Sequence, residues 1–365
     1  MATTPQWIRR AREAVLVVLE NEYSCTSGEL QARIGEPRDI TGPVPDLLAT
    51  FGVKRIDPYF VNLARTELHR AGLIDSTTEA TRGGKEIETF HLPLTDGDGR
   101  KDATERAASR KRLLAARHQG YARSEPTRPE GLIGQAGELV VDEALKASPH
   151  FAVINDGSTH RRYVLGIDLE DHGGPIDNLA NLTTSDQRGN IANFVCPVEV
   201  KNHREWTNPD RQPLHRFLAK TAAISIETKR QDILPMFICR RYRYPVFRIA
   251  TDLGFFMVGF INQFIRDLAE VDQDKLEEVR NELGYGFLLK SDQPNKPLTN
   301  TLAAVPKYAQ TNADRWATIG SQLGHHYQDL AKDSPPRDRS EIMNDLEADA
   351  IELGAAGDWY KPPKR

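Results

Sequence analysis

The sequence predicts an α/β protein: a mixed central sheet flanked by helices, preceded by a smaller helical domain that ends in a hairpin. Three observations predict it. Apolar residues recur at helical spacing three times between residues 5 and 71, then give way to two short β-rich runs. Further on, near-continuous apolar runs at 234–239 and 255–261 bracket a helical stretch, the pattern of strands covered by helices. Between these regions lies a segment crowded with arginine and lysine and poor in acids.

Each element follows from local chemistry. Pro5 to Glu20 puts Ile8, Ala11, Val15, Leu16 and Leu19 at helical spacing. Ser27 to Ile34 reads as a short second helix, with Thr26 or Ser27 as its cap. Asp57 to Ala71 gives a third, with Phe60, Leu63, Ala64 and Leu68 on one face. Pro58 suits its first turn and Gly72 stops it. Leu73-Ile74-Asp75 and Ile87 to Leu92 then form a hairpin whose polar tip carries Arg82 and Lys85. The stretch from Gly35 to Ile56 is a long connection rich in Pro and Gly. Residues 96–130 read as a basic linker with a helix over 104–118, suited to neutralising phosphates.

The larger domain spans residues 131–265. Gly134 to Leu145 reads as an amphipathic helix with Glu138 in its first turn. The turn Gly173-Gly174-Pro175-Ile176 leads through Asp177 into a strand at Asn178 to Leu182. Ser185 to Asn190 supplies a turn, and Ile191 to Val200 returns as a second strand. A helix at Pro213 to Ser225, a strand at Leu234 to Cys239, a helix at Tyr244 to Leu253 closed by Gly254, and a strand at Phe255 to Ile261 complete it. Residues 266–365 read as a helical extension, acidic at 268–283 and 339–353, with a Trp359-Tyr360 tail.

Composition narrows the function. A chain of 365 residues has room for two domains. A net charge of −4 excludes a purely cationic nucleic-acid-binding module, while leaving room for local basic segments. Cys25, Cys196 and Cys239 are scattered and odd in number, so they read as reduced and buried, as in a cytoplasmic protein. No stretch is long and apolar enough to span a membrane, and no secretory signal is expected. No His/Cys spacing suggests a zinc site.

The chemistry concentrates at Glu199-Val200-Lys201. Alternate residues of a strand share a face, so Glu199 and Lys201 project together. The hairpin brings Asp177 toward them, and Glu138 is a third acid on the preceding helix. Paired carboxylates suit Mg2+, and a lysine beside them suits the orientation of a water. Asp168, on the apolar run Tyr163 to Leu169, is a rival to Asp177; Asp177 is favoured because its strand leads directly into that of Glu199.

In this order, Gly-x-x-Gly-Glu on a helix, Pro175-Ile176-Asp177 opening a strand and Glu199-Val200-Lys201 on the next, the residues resemble the PD-(D/E)xK nuclease superfamily, to which restriction endonucleases, Mrr-like enzymes and Holliday-junction resolvases belong. One residue is inserted between Pro175 and Asp177. The resemblance covers roughly 131–264. It implies a restriction-endonuclease-like core and a Mg2+-dependent endonuclease of double-stranded DNA, Mn2+ substituting. Asp177, Glu199 and the Val200 carbonyl would hold the metal, Glu138 would support it, and Lys201 would act on water. A homodimer is expected where both strands are cut. The setting implied is restriction or defence.

Residues 1–95 resemble a winged helix-turn-helix domain. That resemblance implies DNA contact by Asn62, Arg65, Thr66, His69 and Arg70 on the third helix, and by Arg82 and Lys85 on the wing. Such domains also bind proteins. Two further readings stand beside the enzyme: a non-catalytic DNA-binding regulator, and a nuclease of branched DNA, modified DNA or RNA.

Overall fold

The computed structural model describes residues 4–37, 41–81, 84–95, 99–124, 131–154, 161–185, 190–269, 271–291, 295–333 and 337–360. The chain divides into two units: Met1–Leu132 with Asp267–Leu289, and Ile133–Arg266 with Lys290–Arg365.

The first unit opens with α1 (Thr4–Glu22), β1 (Cys25–Thr26) and α2 (Ser27–Gly35). The Thr26 hydroxyl accepts from Glu29 N at 3.2 Å, capping α2. Then come α3 (Pro43–Thr50), α4 (Pro58–Arg70), β2 (Asp75–Ala80), β3 (Glu86–His91) and α5 (Lys101–Tyr121). Asp57 caps α4 by accepting from Tyr59 N, and Pro58 occupies the first turn, where a missing N–H costs nothing. The strands form an antiparallel sheet in the order β1-β3-β2. Leu30, Val61, Ala64, Leu68 and Phe90 pack with α1 residues into one core.

Two elements escape the sequence reading. The strand β1 is only two residues long, and α3 lies in the Pro- and Gly-rich connection, started by Pro43 and held by Leu48 in the core. The basic linker also reads differently. Over 101–121 it is a packed helix of this unit, and four of its cations are answered by acids of the same unit.

The second unit begins within α6 (Gly131–Lys146), followed by β4 (Phe151–Val153), β5 (Tyr163–Val164), β6 (Ile167–Asp168), β7 (Asn178–Ser185), β8 (Ile191–Lys201), α7 (Gln212–Thr228), β9 (Met236–Cys239), α8 (Tyr244–Leu253), β10 (Phe256–Gly259) and β11 (Gln263–Ile265). The five-stranded sheet runs β10-β9-β8-β7-β4. It is mixed: β4, β7 and β8 pair antiparallel, while β8, β9 and β10 are parallel. The parallel steps require helical crossovers, which α7 and α8 supply. Gly254 ends α8 at φ 84°, a conformation glycine adopts freely.

The chain then returns to the first unit with α9 (Gln273–Glu282) before β12 (Leu288–Lys290). Residues 266–365 are therefore not one extension. The remaining helices α10 (Lys296–Ala304), α11 (Ala309–Thr318), α12 (Gly324–Ala331) and α13 (Arg339–Glu352) belong to the second unit. The expected tail is partly core: Trp359 is buried and its Nε1 donates to Asp252 Oδ2 at 2.8 Å. All three cysteines are free and buried, as the sequence predicts. Among the described residues, no helix is long and apolar enough to cross a membrane.

A candidate active site at the end of strand β8

The hairpin register builds the site. Asn178 pairs with Val198, so Asp177, just before β7, lies beside Glu199 and Val200. Its Oδ2 accepts from Val200 N at 2.6 Å, fixing the carboxylate against the strand end. Glu199 and Lys201 share a face of β8, and Lys201 Nζ bridges the acids, 2.7 Å from Glu199 Oε1 and 3.5 Å from Asp177 Oδ2.

Glu138 lies further into α6 than the sequence suggests. The helix begins at Gly131, so Glu138 is two turns in and its carboxylate is not explained by the helix dipole. What aligns it is Asn202. This side chain donates to Ile133 O at 2.6 Å and to Phe264 O at 2.7 Å, and accepts from Phe264 N at 3.0 Å, clamping α6 to the end of β8. Gly137 makes the approach possible, since a Cβ there would come within 2.5 Å of Asn202 Cβ. The field of Glu138 then reaches Lys201.

A fifth group completes the cluster. Lys220 of α7 is almost fully buried; its Nζ donates to Glu199 Oε2 at 3.1 Å and to Pro175 O at 2.7 Å. It ties the turn before Asp177 to the acid on β8. The sequence carried a signal for it, a lone charge inside the apolar run Phe217 to Ile224, which the helical pattern alone does not interpret.

The electrostatics keep the site ionised. Burial opposes the charge on Glu199, but Lys201 and Lys220 outweigh it and hold the carboxyl below the usual range. Burial likewise opposes the charge on Lys201, yet the acids of Asp177 and Glu199 raise its pKa well above that of a free lysine. Asp177, Glu199 and the Val200 carbonyl would offer an all-oxygen donor set of the kind Mg2+ and Mn2+ take. The Lys201 ammonium now neutralises the acids, so a dication held there would displace it from at least one of them. The carboxylates of 138, 177 and 199 do not draw together as tightly as His325, His326 and Asp349, whose ligand atoms lie within 4.8 Å of one another.

Comparison with known proteins is silent. No protein-family model, curated protein or solved structure matches the chain.

The other expected residues separate into two groups. Asp168, the rival acid, belongs to β6 and is gripped by Arg162 at 2.7 and 2.8 Å while capping the following turn, away from Glu199 in the hydrogen-bond network. Arg240, just after β9, is buried and donates to the carbonyls of His203, Arg204 and Ile261.

In the first unit, Asn62 accepts from Gln31 Nε2 at 2.7 Å and so faces α2 rather than a groove. Arg65 lies 4.7 Å over the Phe90 ring, and burial lowers its pKa. These two serve the fold. Thr66, His69 and Arg70 are exposed on α4, and Lys85 is exposed beside β3. Arg82 lies outside the described residues.

Four basic residues of α5 are also occupied. Arg110 pairs with Glu282 at 2.7 Å and Arg117 with Glu278 at 2.6 Å, both acids on α9. Lys111 meets Glu29 at 2.5 Å and Glu22 at 3.0 Å, and Arg112 meets Glu79 at 2.8 Å. The phosphate-neutralising role expected of this segment loses these four cations to internal acids.

Proposed function

We propose that the chain is a Mg2+-dependent endonuclease that hydrolyses phosphodiester bonds in duplex DNA, acting in restriction or defence. The observation that carries this reading is the bridge made by Lys201 between Glu199 and Asp177. It brings together the three residues that the nuclease motif names. The element order supports it too: helix α6, the antiparallel strands β4, β7 and β8, helix α7, then β9 is the order the resemblance implies. The first unit, whose β2–β3 hairpin follows α4 and pairs with β1, suits a winged helix that engages DNA through Thr66, His69, Arg70 and Lys85.

In this reading a bound Mg2+, held by Asp177, Glu199 and the Val200 carbonyl with Glu138 in support, would neutralise charge developing on the phosphate. Lys201, held as an ammonium by the two acids, would orient the attacking water and favour loss of its proton to solvent. Lys220 keeps Glu199 ionised and fixes its direction. Asp177 is pre-positioned by the Val200 N–H. Cutting both strands calls for two such sites and hence a two-fold dimer.

One observation favours a rival. Both carboxylate oxygens of Glu199 already meet lysines, so the cluster is balanced as an ion-pair network without a metal. A DNA-binding regulator with a purely structural second unit would need no more. Incubation of the protein with Mg2+ or Mn2+ and a panel of plasmid, base-modified plasmid, branched DNA and RNA distinguishes the two. Chelator-sensitive cutting with mapped ends supports the enzyme and names its substrate; a mobility shift with no cutting of any member supports the regulator.

A further inference from the structure

A second cluster lies far along the chain from β8, on the helices α12 and α13. His325 and His326 are consecutive on α12, and residues one apart on a helix ordinarily diverge by about a quarter turn or more. Here they converge. Their ring centroids are 3.9 Å apart, and both Nε2 atoms turn to the same oxygen, Asp349 Oδ2, at 3.7 Å from His325 and 2.7 Å from His326. The three ligand atoms lie within 4.8 Å of one another. His326 is buried and Asp349 half-exposed, while His325 stands open to solvent, so an ion has a rigid floor and an entry path.

We infer that His325, His326 and Asp349 form a binding site for a late first-row divalent cation, with Zn2+ as the representative, that clips α12 to α13. Two imidazoles and one carboxylate suit zinc-class ions, whereas magnesium prefers oxygens alone. Three protein ligands leave a coordination position for solvent.

The surroundings set the strength. Burial, with the neighbouring imidazole and Arg337, keeps His325 below the usual histidine range against the pull of Asp349 and Asp329, which leaves its ring nitrogen free of a proton. Arg337 is itself engaged by Asp345 at 2.5 Å. Among the described residues, His326 Nδ1 is buried with no hydrogen-bond partner to hold the ring from behind. Such outer partners typically contribute about 10- to 100-fold in affinity, so the site binds more weakly than one whose histidines are both held from behind.

The site is independent of the proposed nuclease centre, and its test keeps the two apart. Zn2+ is titrated calorimetrically into the full chain, and Co2+ binding is followed by its visible absorption. The comparison chains are His325→Ala, Asp349→Asn and the Asp177→Asn/Glu199→Gln pair. His325→Ala is the informative variant because it leaves the His326–Asp349 hydrogen bond, and so the fold, in place. The expected result is one Zn2+ per chain at this site, weakened at least about tenfold by His325→Ala and by Asp349→Asn, with the cobalt bands lost in parallel and retained in the Asp177/Glu199 variant. Absence of Zn2+ binding, or binding and cobalt spectra unaltered by His325→Ala, overturns the assignment and leaves an ordinary histidine–aspartate hydrogen bond.

Discussion

Each unit of the molecule holds a buried glutamate paired with lysine, and the two clusters behave oppositely. In the first, Glu29 is fully enclosed and Lys111 nearly so, with Arg33 and Glu22 closing the network. Burial pushes the Glu29 pKa up despite Lys111 and Arg33. In the second, two amines hold Glu199 below the usual range, and the Lys201 side chain remains 21% exposed at a strand end. Burial and charge pairing are therefore common to a structural lock and a candidate catalytic centre. What separates them is an acid kept ionised, a second acid fixed by a backbone N–H, and a lysine that water can reach.

The largest expected effect sharpens this contrast. Lys201→Ala should lower DNA cutting by about a thousandfold or more while DNA binding in Ca2+ stays within about threefold, because in the proposed reaction the amine acts on the reacting water rather than on docking. Substantial cutting by this variant would reduce the β8 cluster to a lock like the other.

Lys111→Met should do the reverse. It leaves the buried Glu29 to Arg33 and should cost up to about 3–5 kcal/mol in urea unfolding of the first unit. A cost under about 1 kcal/mol would mean that Glu29 is already protonated and the lock is looser than its geometry.

Acid should strain the second unit. His215 is buried, with Nε2 2.7 Å from Pro209 O, and burial pushes its pKa down to about 4. An unfolded histidine titrates near 6.5, so below that pH the unfolded chain binds a proton the folded one refuses. Stability should fall between pH 6.5 and 4 by up to roughly 3 kcal/mol, and His215→Gln should flatten that slope in chemical unfolding. An unchanged slope would place the sensitivity elsewhere.

The smallest effects concern the proposed DNA surface. Arg70→Ala should weaken binding a few-fold and reduce its salt slope by about one. Arg65→Ala should instead loosen the α4–β3 packing that its guanidinium makes over Phe90. Equal salt slopes in the two variants would contradict that division.

How much of this was legible in the sequence follows from the range of the forces. The β7–β8 hairpin, the helices α7 and α8, and the pairing of Asp177 with Glu199 were readable because period-two alternation, a turn and a glycine stop are local signals. Asn62 and Arg65 were misassigned because periodicity identifies a helix face but not what covers it; Gln31 and Phe90 arrive from other elements. The neutralisation of α5 was invisible for the same reason, since Glu278 and Glu282 lie far down the chain. Lys220 announced itself only as an oddity in an apolar helix, and β1 was too short to carry a pattern.

The most direct test of the central claim is the rate of plasmid cutting as a function of Mg2+ for the intact chain beside Asp177→Asn. Saturable Mg2+-dependent cutting by the intact chain, absent in the variant at every concentration, is the result expected. No cutting by the intact chain on any DNA, or equal cutting by both, would contradict it.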